Sequence, residues 1–142
     1  MAGDDGILTA IEVAELDLRS VDVTVLSACE TGLGEVNTGE GVLGLQRALQ
    51  IAGSRTVVAS LWKVDDRATQ KLMEEFYRNI WERKLGKLDA LRKAQLDMLQ
   101  TYDAETGQFR GDRRLRPSSK AESFLIAPPV LWAAFVLSGD WR

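Results

Sequence analysis

The hydrophobic positions of the chain include two continuous apolar runs that each precede a stretch with helical spacing. Residues 21–28 (VDVTVLSA) and 54–62 (SRTVVASLW) are rich in β-branched side chains and do not alternate cleanly between apolar and polar. Such runs are typical of strands that are buried on both faces, as the strands of a parallel sheet are. The pattern therefore predicts two buried strands.

Hydrophobic residues with the spacing of a helix occur before the first run, between the two runs and after the second. Thr9 and Glu12 have the spacing of a capping box at the start of a short helix. A second helix is predicted from residue 41, and Gly53 fits the position just past its end. Asp65 or Asp66 can cap a third helix, which has a strong amphipathic pattern. A fourth is predicted over residues 88–100 with these side chains facing inward: Leu88, Leu91, Met98 and Leu99.

The last quarter of the chain has a weaker pattern. Residues 101–127 are polar and lack periodicity, which predicts an irregular and mobile loop that is long for a compact domain. Residues 130–138 are apolar and follow Pro128 and Pro129, which disfavour a helix. We therefore predict a third strand over residues 130–138.

This order of elements indicates an α/β fold. Strand–helix–strand crossovers give a parallel sheet with helices on its faces, and ligands of such sheets gather at the carboxyl ends of the strands. Cys29 and the segment from Trp62 to Asp66 both fall at such ends. The length of 142 residues suits one domain, and no boundary within it is visible.

The first strand has no evident second neighbour. It is either an edge strand or the partner of a strand that this chain does not supply, and a long apolar edge invites pairing with another chain. The pattern is therefore compatible with half of a larger α/β domain. It is equally compatible with a small three-stranded protein whose edge is covered by the N-terminal helix or by homo-oligomerisation.

Composition narrows the functional classes. The net charge of −3 argues against nucleic-acid binding, which needs clustered positive charge. One cysteine and no histidine leave too few ligands for a zinc or haem site, and no metal or other cofactor is expected. The N-terminus does not resemble a signal peptide, and no apolar run has the length of a membrane span. A reducing, cytoplasmic setting without membrane contact is expected.

Cys29 is the candidate nucleophile, although a lone cysteine is more often a small core residue. It follows a buried strand and begins a glycine-rich loop, so its backbone N–H could donate to an oxyanion. An unassisted thiol has a pKa of about 8.5, and the adjacent Glu30 carboxylate would raise it. Cys29 thus needs a base that the chain lacks.

Several motifs carry a family resemblance. SACETG (residues 27–32), GEG (39–41), SLWKVDD (60–66) and WAAFVLSGDW (132–141) resemble the C-terminal half of a CHAT domain. This family consists of caspase- and separase-like cysteine peptidases, found mostly in bacteria and often fused to tetratricopeptide or other repeat modules. The resemblance covers nearly all of residues 1–142. It implies a partial caspase-like α/β/α sandwich with a mostly parallel sheet and an antiparallel last strand.

The resemblance also implies a catalytic dyad that is split. It places the nucleophile at Cys29 and the base at a histidine in a THG-like motif, which would lie upstream of residue 1. Pro128 and Pro129 stand where many relatives have His-Pro. Three explanations are open: a piece of a longer protease, a natural subunit completed by a partner chain that supplies the histidine, or a decayed remnant.

A substrate pocket is expected beside Cys29 for the residue that precedes the cleaved bond. By position Ser27 and Trp62 would line it, and Asp65 and Asp66 would bind a basic side chain through carboxylate contacts. The alternative is that at least one of these aspartates only caps the following helix, and that Trp62 belongs to the core.

These observations predict the nucleophile-bearing half of a cysteine endopeptidase that cleaves protein substrates and is inactive alone. The alternative is a non-catalytic protein-interaction module or a pseudo-peptidase in which Cys29 is vestigial. A small α/β protein unrelated to peptidases is a third alternative, which the specific SACETG motif disfavours.

Overall fold

A computed structural model of the chain describes residues 8–27, 40–103, 108–109 and 127–142. The chain divides into two compact units: Met1–Val64 with Ala134–Arg142 form unit 1, and Asp65–Ala133 form unit 2. This division was not visible in the sequence. The elements in chain order are α1 (Ala10–Ala14), β1 (Val23–Leu26), α2 (Glu40–Ile51), β2 (Thr56–Ser60), α3 (Asp66–Trp81), α4 (Lys87–Thr101), β3 (Tyr102–Asp103), β4 (Gln108–Phe109), α5 (Pro129–Trp132) and β5 (Phe135–Gly139).

Unit 1 contains a three-stranded sheet in the order β1-β2-β5. The strands β1 and β2 are parallel, with Leu26 opposite Ala59, whereas β5 runs antiparallel to β2, with Phe135 opposite Ser60. All five residues of β2 are buried because this strand lies in the centre of the sheet. The predicted α/β class and the antiparallel last strand are confirmed.

The helices α1 and α2 cover one face of this sheet. Val13 of α1, Ala48 and Leu49 of α2 and Val57 of β2 form a buried cluster, against which Leu26 of β1 also packs. The predicted capping box is present at the start of α1. Its two hydrogen bonds join the Thr9 amide to the Glu12 carboxylate at 2.8 Å and the Glu12 amide to the Thr9 hydroxyl at 3.3 Å.

The end of α2 is a Schellman motif, and Gly53 occupies its left-handed position as predicted. The amide of Gly53 donates to the Gln50 carbonyl at 3.1 Å, and the amide of Ser54 donates to the Leu49 carbonyl at 3.0 Å. Gly53 has a φ of 106°, and a Cβ there would lie 3.0 Å from the backbone nitrogen of Arg19.

Arg19 also forms a hydrogen-bonded pair with Asp17 in the turn before β1. The Arg19 guanidinium holds the pKa of the exposed Asp17 carboxyl below its usual value through hydrogen bonding.

Unit 2 is built around the antiparallel contact of α3 with α4. The buried face of α3 consists of Ala68, Leu72, Phe76 and Asn79, and that of α4 contains Ala90, Leu91, Ala94 and Met98. Leu91 and Met98 face inward as predicted, but Leu88 was wrongly assigned and is 46% exposed. The small side chains of Ala90 and Ala94 decide which face of α4 is buried, because they allow the two helices to approach closely.

A charged cluster joins the outer parts of the same two helices. The Arg83 guanidinium lies 3.7 Å from the Glu75 carboxylate on α3 and 3.9 Å from the Asp97 carboxylate on α4. Asp97 also pairs with Lys93 at 3.0 Å. A shallow cavity of about 220 Å³ lies beside this cluster. These charged groups pair with one another, and partly exposed ion pairs of this kind contribute little to stability.

For the last quarter of the chain, the structure corrects one prediction and describes only part of the region covered by another. The predicted strand over residues 130–138 begins only at Phe135, because Pro129–Trp132 form the helical turn α5. Proline is tolerated at the first helical position, where its missing N–H would have had no intrahelical acceptor. Within residues 101–127, β3 and β4 form an antiparallel pair with Tyr102 opposite Phe109, and residues 104–107 and 110–126 lie outside the described residues.

Candidate functional site

The candidate site begins at the carboxyl ends of the parallel strands in unit 1. β1 ends at Leu26 opposite Ala59, so the same register continues with Ser27 beside Ser60. Ser60 is buried, whereas Ser27 is exposed at the edge of the sheet. Cys29, the predicted nucleophile, lies outside the described residues. The structure therefore shows the strand end that leads to Cys29 and not the thiol itself.

The two faces of the sheet differ at this end. Leu26 packs with α2 against the cluster that contains Val57, so its side chain lies on the helix-covered face. Successive side chains of a strand point to opposite faces, which places Ser27 on the face away from α2. Ser27 is therefore exposed on that face of the sheet. Its role in binding substrate stays a prediction.

The chain leaves β2 at Leu61 and Trp62. The Leu61 amide donates to the Ala134 carbonyl at 2.8 Å, which extends the contact with the β5 side by one residue beyond β2. Trp62 follows with 38% of its surface exposed, so it is not a fully buried core residue. Its indole is therefore accessible at the carboxyl end of the sheet, where a pocket wall was predicted.

Asp65 and Asp66 have different local roles at the start of α3. The Asp65 carboxylate oxygen Oδ1 accepts from the amides of Arg67 at 3.0 Å and Ala68 at 3.1 Å, so Asp65 is the N-cap. Asp66 is the first residue of the helix, and both side chains are exposed. The predicted capping alternative is confirmed for Asp65. Ser27 and Trp62 belong to unit 1, whereas Asp65 and Asp66 belong to unit 2.

Substitutions at Asp65 can separate its capping role from its charge. We expect Asp65→Ala to lower the free energy of unfolding by about 1 kcal/mol, because two amides at the start of α3 lose their acceptor. Asp65→Asn should change it by only a few tenths of a kcal/mol, since asparagine is an equally good N-cap. Urea unfolding followed by circular dichroism measures both. Equal losses in the two variants would contradict the capping role.

Gln46 is a feature that the sequence pattern did not single out. It lies in α2 with only 6% of its surface exposed, and its Nε2 atom has no hydrogen-bond partner within the described part of the chain. One turn later, Gln50 Nε2 donates to Ser138 Oγ of β5 at 3.2 Å, so this flank of α2 faces β5. The sequence did contain a sign of its burial, because Gln46 lies between Val42 and Leu49 on the apolar face of α2.

The described residues offer neither a metal-binding cluster nor a membrane-spanning helix. Among the residues that the structure describes, no group of three or more histidine, cysteine, aspartate or glutamate side chains could hold a metal ion. In the same residues no helix combines the length and apolar character that crossing a membrane requires. The described candidate residues thus comprise a strand edge and a partly exposed tryptophan in unit 1 and, separately, two acidic residues at a helix start in unit 2.

Comparison with known proteins shows which family the sequence resembles. The family model described as CHAT domain matches residues 1–140. Tetratricopeptide repeat protein 28 of Mus musculus is 35% identical over 134 residues, and the protein of the same name from Homo sapiens has the same identity over the same length. These matches cover 94% of this chain but only 4% of either relative. No solved structure matches the chain significantly.

Proposed function

Because the chain belongs to the CHAT domain family, we propose that it is the nucleophile-bearing half of a caspase-like cysteine endopeptidase. The observation that carries this proposal is the edge position of β1. Within the described residues β1 pairs with β2 alone, and it ends three residues before Cys29. The chain contains no histidine. A strand added beside β1 would bring an imidazole to the same carboxyl edge as Cys29.

The proposed chemistry is acyl transfer through a thioester. The histidine of the added segment takes the proton from the Cys29 thiol, and the sulfur attacks the carbonyl carbon of the scissile peptide bond. The Cys29 backbone N–H stabilises the oxyanion, and the imidazolium gives its proton to the leaving amine. Water, deprotonated by the same imidazole, then hydrolyses the thioester and releases the free thiol.

Four described residues are proposed to bind substrate. Ser27 and Trp62 are exposed at or beyond the carboxyl ends of β1 and β2, where the residue before the cleaved bond would lie. Asp65 and Asp66 would provide carboxylates for an arginine or lysine side chain. The two amide bonds that identify Asp65 as the N-cap use only its Oδ1 atom. Capping by Asp65 and contact with a substrate cation are therefore compatible.

In this proposal the histidine comes from a polypeptide segment outside residues 1–142. The chain spans about 4% of the length of the curated relatives it matches, so a longer protein has ample sequence to supply that segment. A separate partner chain could supply it equally well. We propose a cytoplasmic setting for the assembled enzyme, because a reducing compartment preserves a catalytic thiol.

A non-catalytic interaction module is the second candidate. It is compatible with the absence of histidine from residues 1–142, because Cys29 has no imidazole base within this chain. The matched relatives are named as tetratricopeptide repeat proteins, and such repeats form extended binding surfaces. In this alternative the fold would dock a partner, and Cys29 would be vestigial.

Complementation tests the two candidates. The longer reading frame is searched for a THG-like motif, and the segment that contains it is co-expressed with residues 1–142. We expect peptidase activity on arginine- or lysine-containing peptides from the pair and none from either part. No activity from a folded pair would favour the interaction module. Activity of residues 1–142 alone would contradict the need for an external histidine.

A further inference from the structure

The side chain of Gln46 is buried in unit 1 without a partner for its amide nitrogen. Only 6% of its surface is exposed, and its Nε2 atom has no hydrogen-bond partner within the described part of the chain. A buried donor that lacks an acceptor destabilises a fold, because water hydrogen bonds to it in the unfolded chain. An apolar side chain of similar size would avoid this loss. Gln46 therefore lowers the stability of the isolated chain, and its presence needs another explanation.

Gln46 lies in a helix that begins at the same edge of the sheet as the segment with Cys29. α2 (Glu40–Ile51) connects the end of β1 to the start of β2, and these strands are parallel. The helix therefore begins at the carboxyl edge of the sheet, where β1 ends. Helical side chains lean towards the N-terminus of their helix. The Gln46 side chain consequently extends towards the first turn of α2 and this edge.

Gln50, one turn further along α2, differs from Gln46 in both burial and pairing. It is exposed, and its Nε2 atom donates to Ser138 Oγ of β5 at 3.2 Å. The hydroxyl that the described structure offers on this flank of α2 is therefore used by Gln50 and not by Gln46. An acceptor for Gln46 is expected in the other direction, towards the start of α2, where residues 28–39 join the helix to β1.

We infer that Gln46 is a positioning residue for Cys29. In the assembled enzyme its Nε2 atom donates to a backbone carbonyl of residues 28–39, the segment that carries the thiol. This contact holds the Cys29 backbone N–H in the direction of the oxyanion, and it offsets the loss that the unpaired amide causes in the isolated chain. Gln46 itself touches neither the substrate nor the thiol. The inference rests on the proposed function, because only an active enzyme requires this alignment.

Urea unfolding of residues 1–142, followed by circular dichroism, tests the first part of the inference. Gln46→Leu removes the unpaired donor, so we expect the unfolding midpoint to rise by roughly 0.5–1 M. Gln46→Met is a second variant, which keeps the length and flexibility of glutamine in case leucine packs poorly. Gln50→Leu is the matched control, and its midpoint should fall or stay unchanged because its amide is already paired. A midpoint that rises in neither Gln46 variant would overturn the inference.

Steady-state kinetics of the complemented enzyme tests the second part. We expect Gln46→Leu to lower kcat about tenfold with KM changed by no more than about twofold, because substrate still binds but the oxyanion donor is misaligned. Gln50→Leu should match the parent. Since the Gln46 variant is expected to be more stable than the parent, unfolding would not explain its lower kcat.

The kinetic outcomes separate failure of this inference from failure of the proposed function. A parent-like kcat in both Gln46 variants of an active pair would overturn the positioning role alone. An inactive parent pair would overturn the proposed function, and the positioning role with it.

Discussion

Replacing Gly139 with alanine is expected to lower the free energy of unfolding of unit 1 by about 4 kcal/mol, a large share of the stability of a small domain. Gly139 ends β5 with a φ of 100°, a conformation that side chains with a Cβ rarely adopt. A Cβ there would lie 2.2 Å from the Arg55 carbonyl oxygen. The contacting atom belongs to the backbone beside β2, so a rotamer change cannot relieve the overlap.

The surrounding hydrogen bonds hold this close approach in place. The amide of Asp140 donates to the same Arg55 carbonyl at 2.8 Å, and the Thr56 hydroxyl donates to the Asp140 carbonyl. Moving Gly139 away from Arg55 would therefore break the end of the β2–β5 pairing. The loss should appear in urea unfolding followed by circular dichroism as a lower midpoint.

Gly44→Ala is the matched control for this substitution. Gly44 lies within α2, and a Cβ there would meet no atom within 4 Å. Alanine has the higher helix propensity, so this variant should gain roughly 0.5–1 kcal/mol. A Gly139→Ala protein as stable as the parent, or an equal loss in both variants, would contradict the described contact of β5 with β2.

The second large effect concerns Cys29 in the complemented enzyme. We expect Cys29→Ala to reduce kcat/KM at least 1,000-fold, because the thioester can no longer form. Ile51→Ser is a suitable control, since Ile51 is exposed at the end of α2 and has no place in the proposed site. Initial rates on a peptide with one arginine measure both variants. Retention of more than a tenth of the activity in the alanine variant would exclude Cys29 as the nucleophile.

Features decided by local sequence were predictable. The capping box at Thr9 and the left-handed Gly53 each depend on residues within a few positions, and both are present. The two parallel strands were also recognisable, because burial on both faces removes alternation from their sequences.

Features decided by contacts between distant residues were not predictable. Leu88 fits an apolar helix face as well as Leu91 does, and the approach of α3 to the alanines of α4 determines which is buried. The helical turn at Pro129 was missed because proline can start a helix as well as prevent one. The division of the chain at Val64 likewise depends on contacts across the whole sequence.

The candidate site shows the same distinction. The pattern placed Ser27 and Trp62 at the carboxyl ends of strands, and both are exposed there. It could not tell which aspartate caps α3, because Asp65 and Asp66 are adjacent and equally suited. The choice depends on where the helix begins, which the described structure fixes at Asp66.

The alkylation of Cys29 by iodoacetamide as a function of pH tests the central claim most directly. In the isolated chain we expect the rate to follow a thiol pKa of about 8.5 or slightly higher, because no imidazole is present. Addition of the histidine-bearing segment should lower this pKa by at least about one unit, since an adjacent imidazolium favours the thiolate. A pKa already well below 8 in the isolated chain, or one that the bound segment leaves unchanged, would contradict the proposal that this thiol depends on an external histidine.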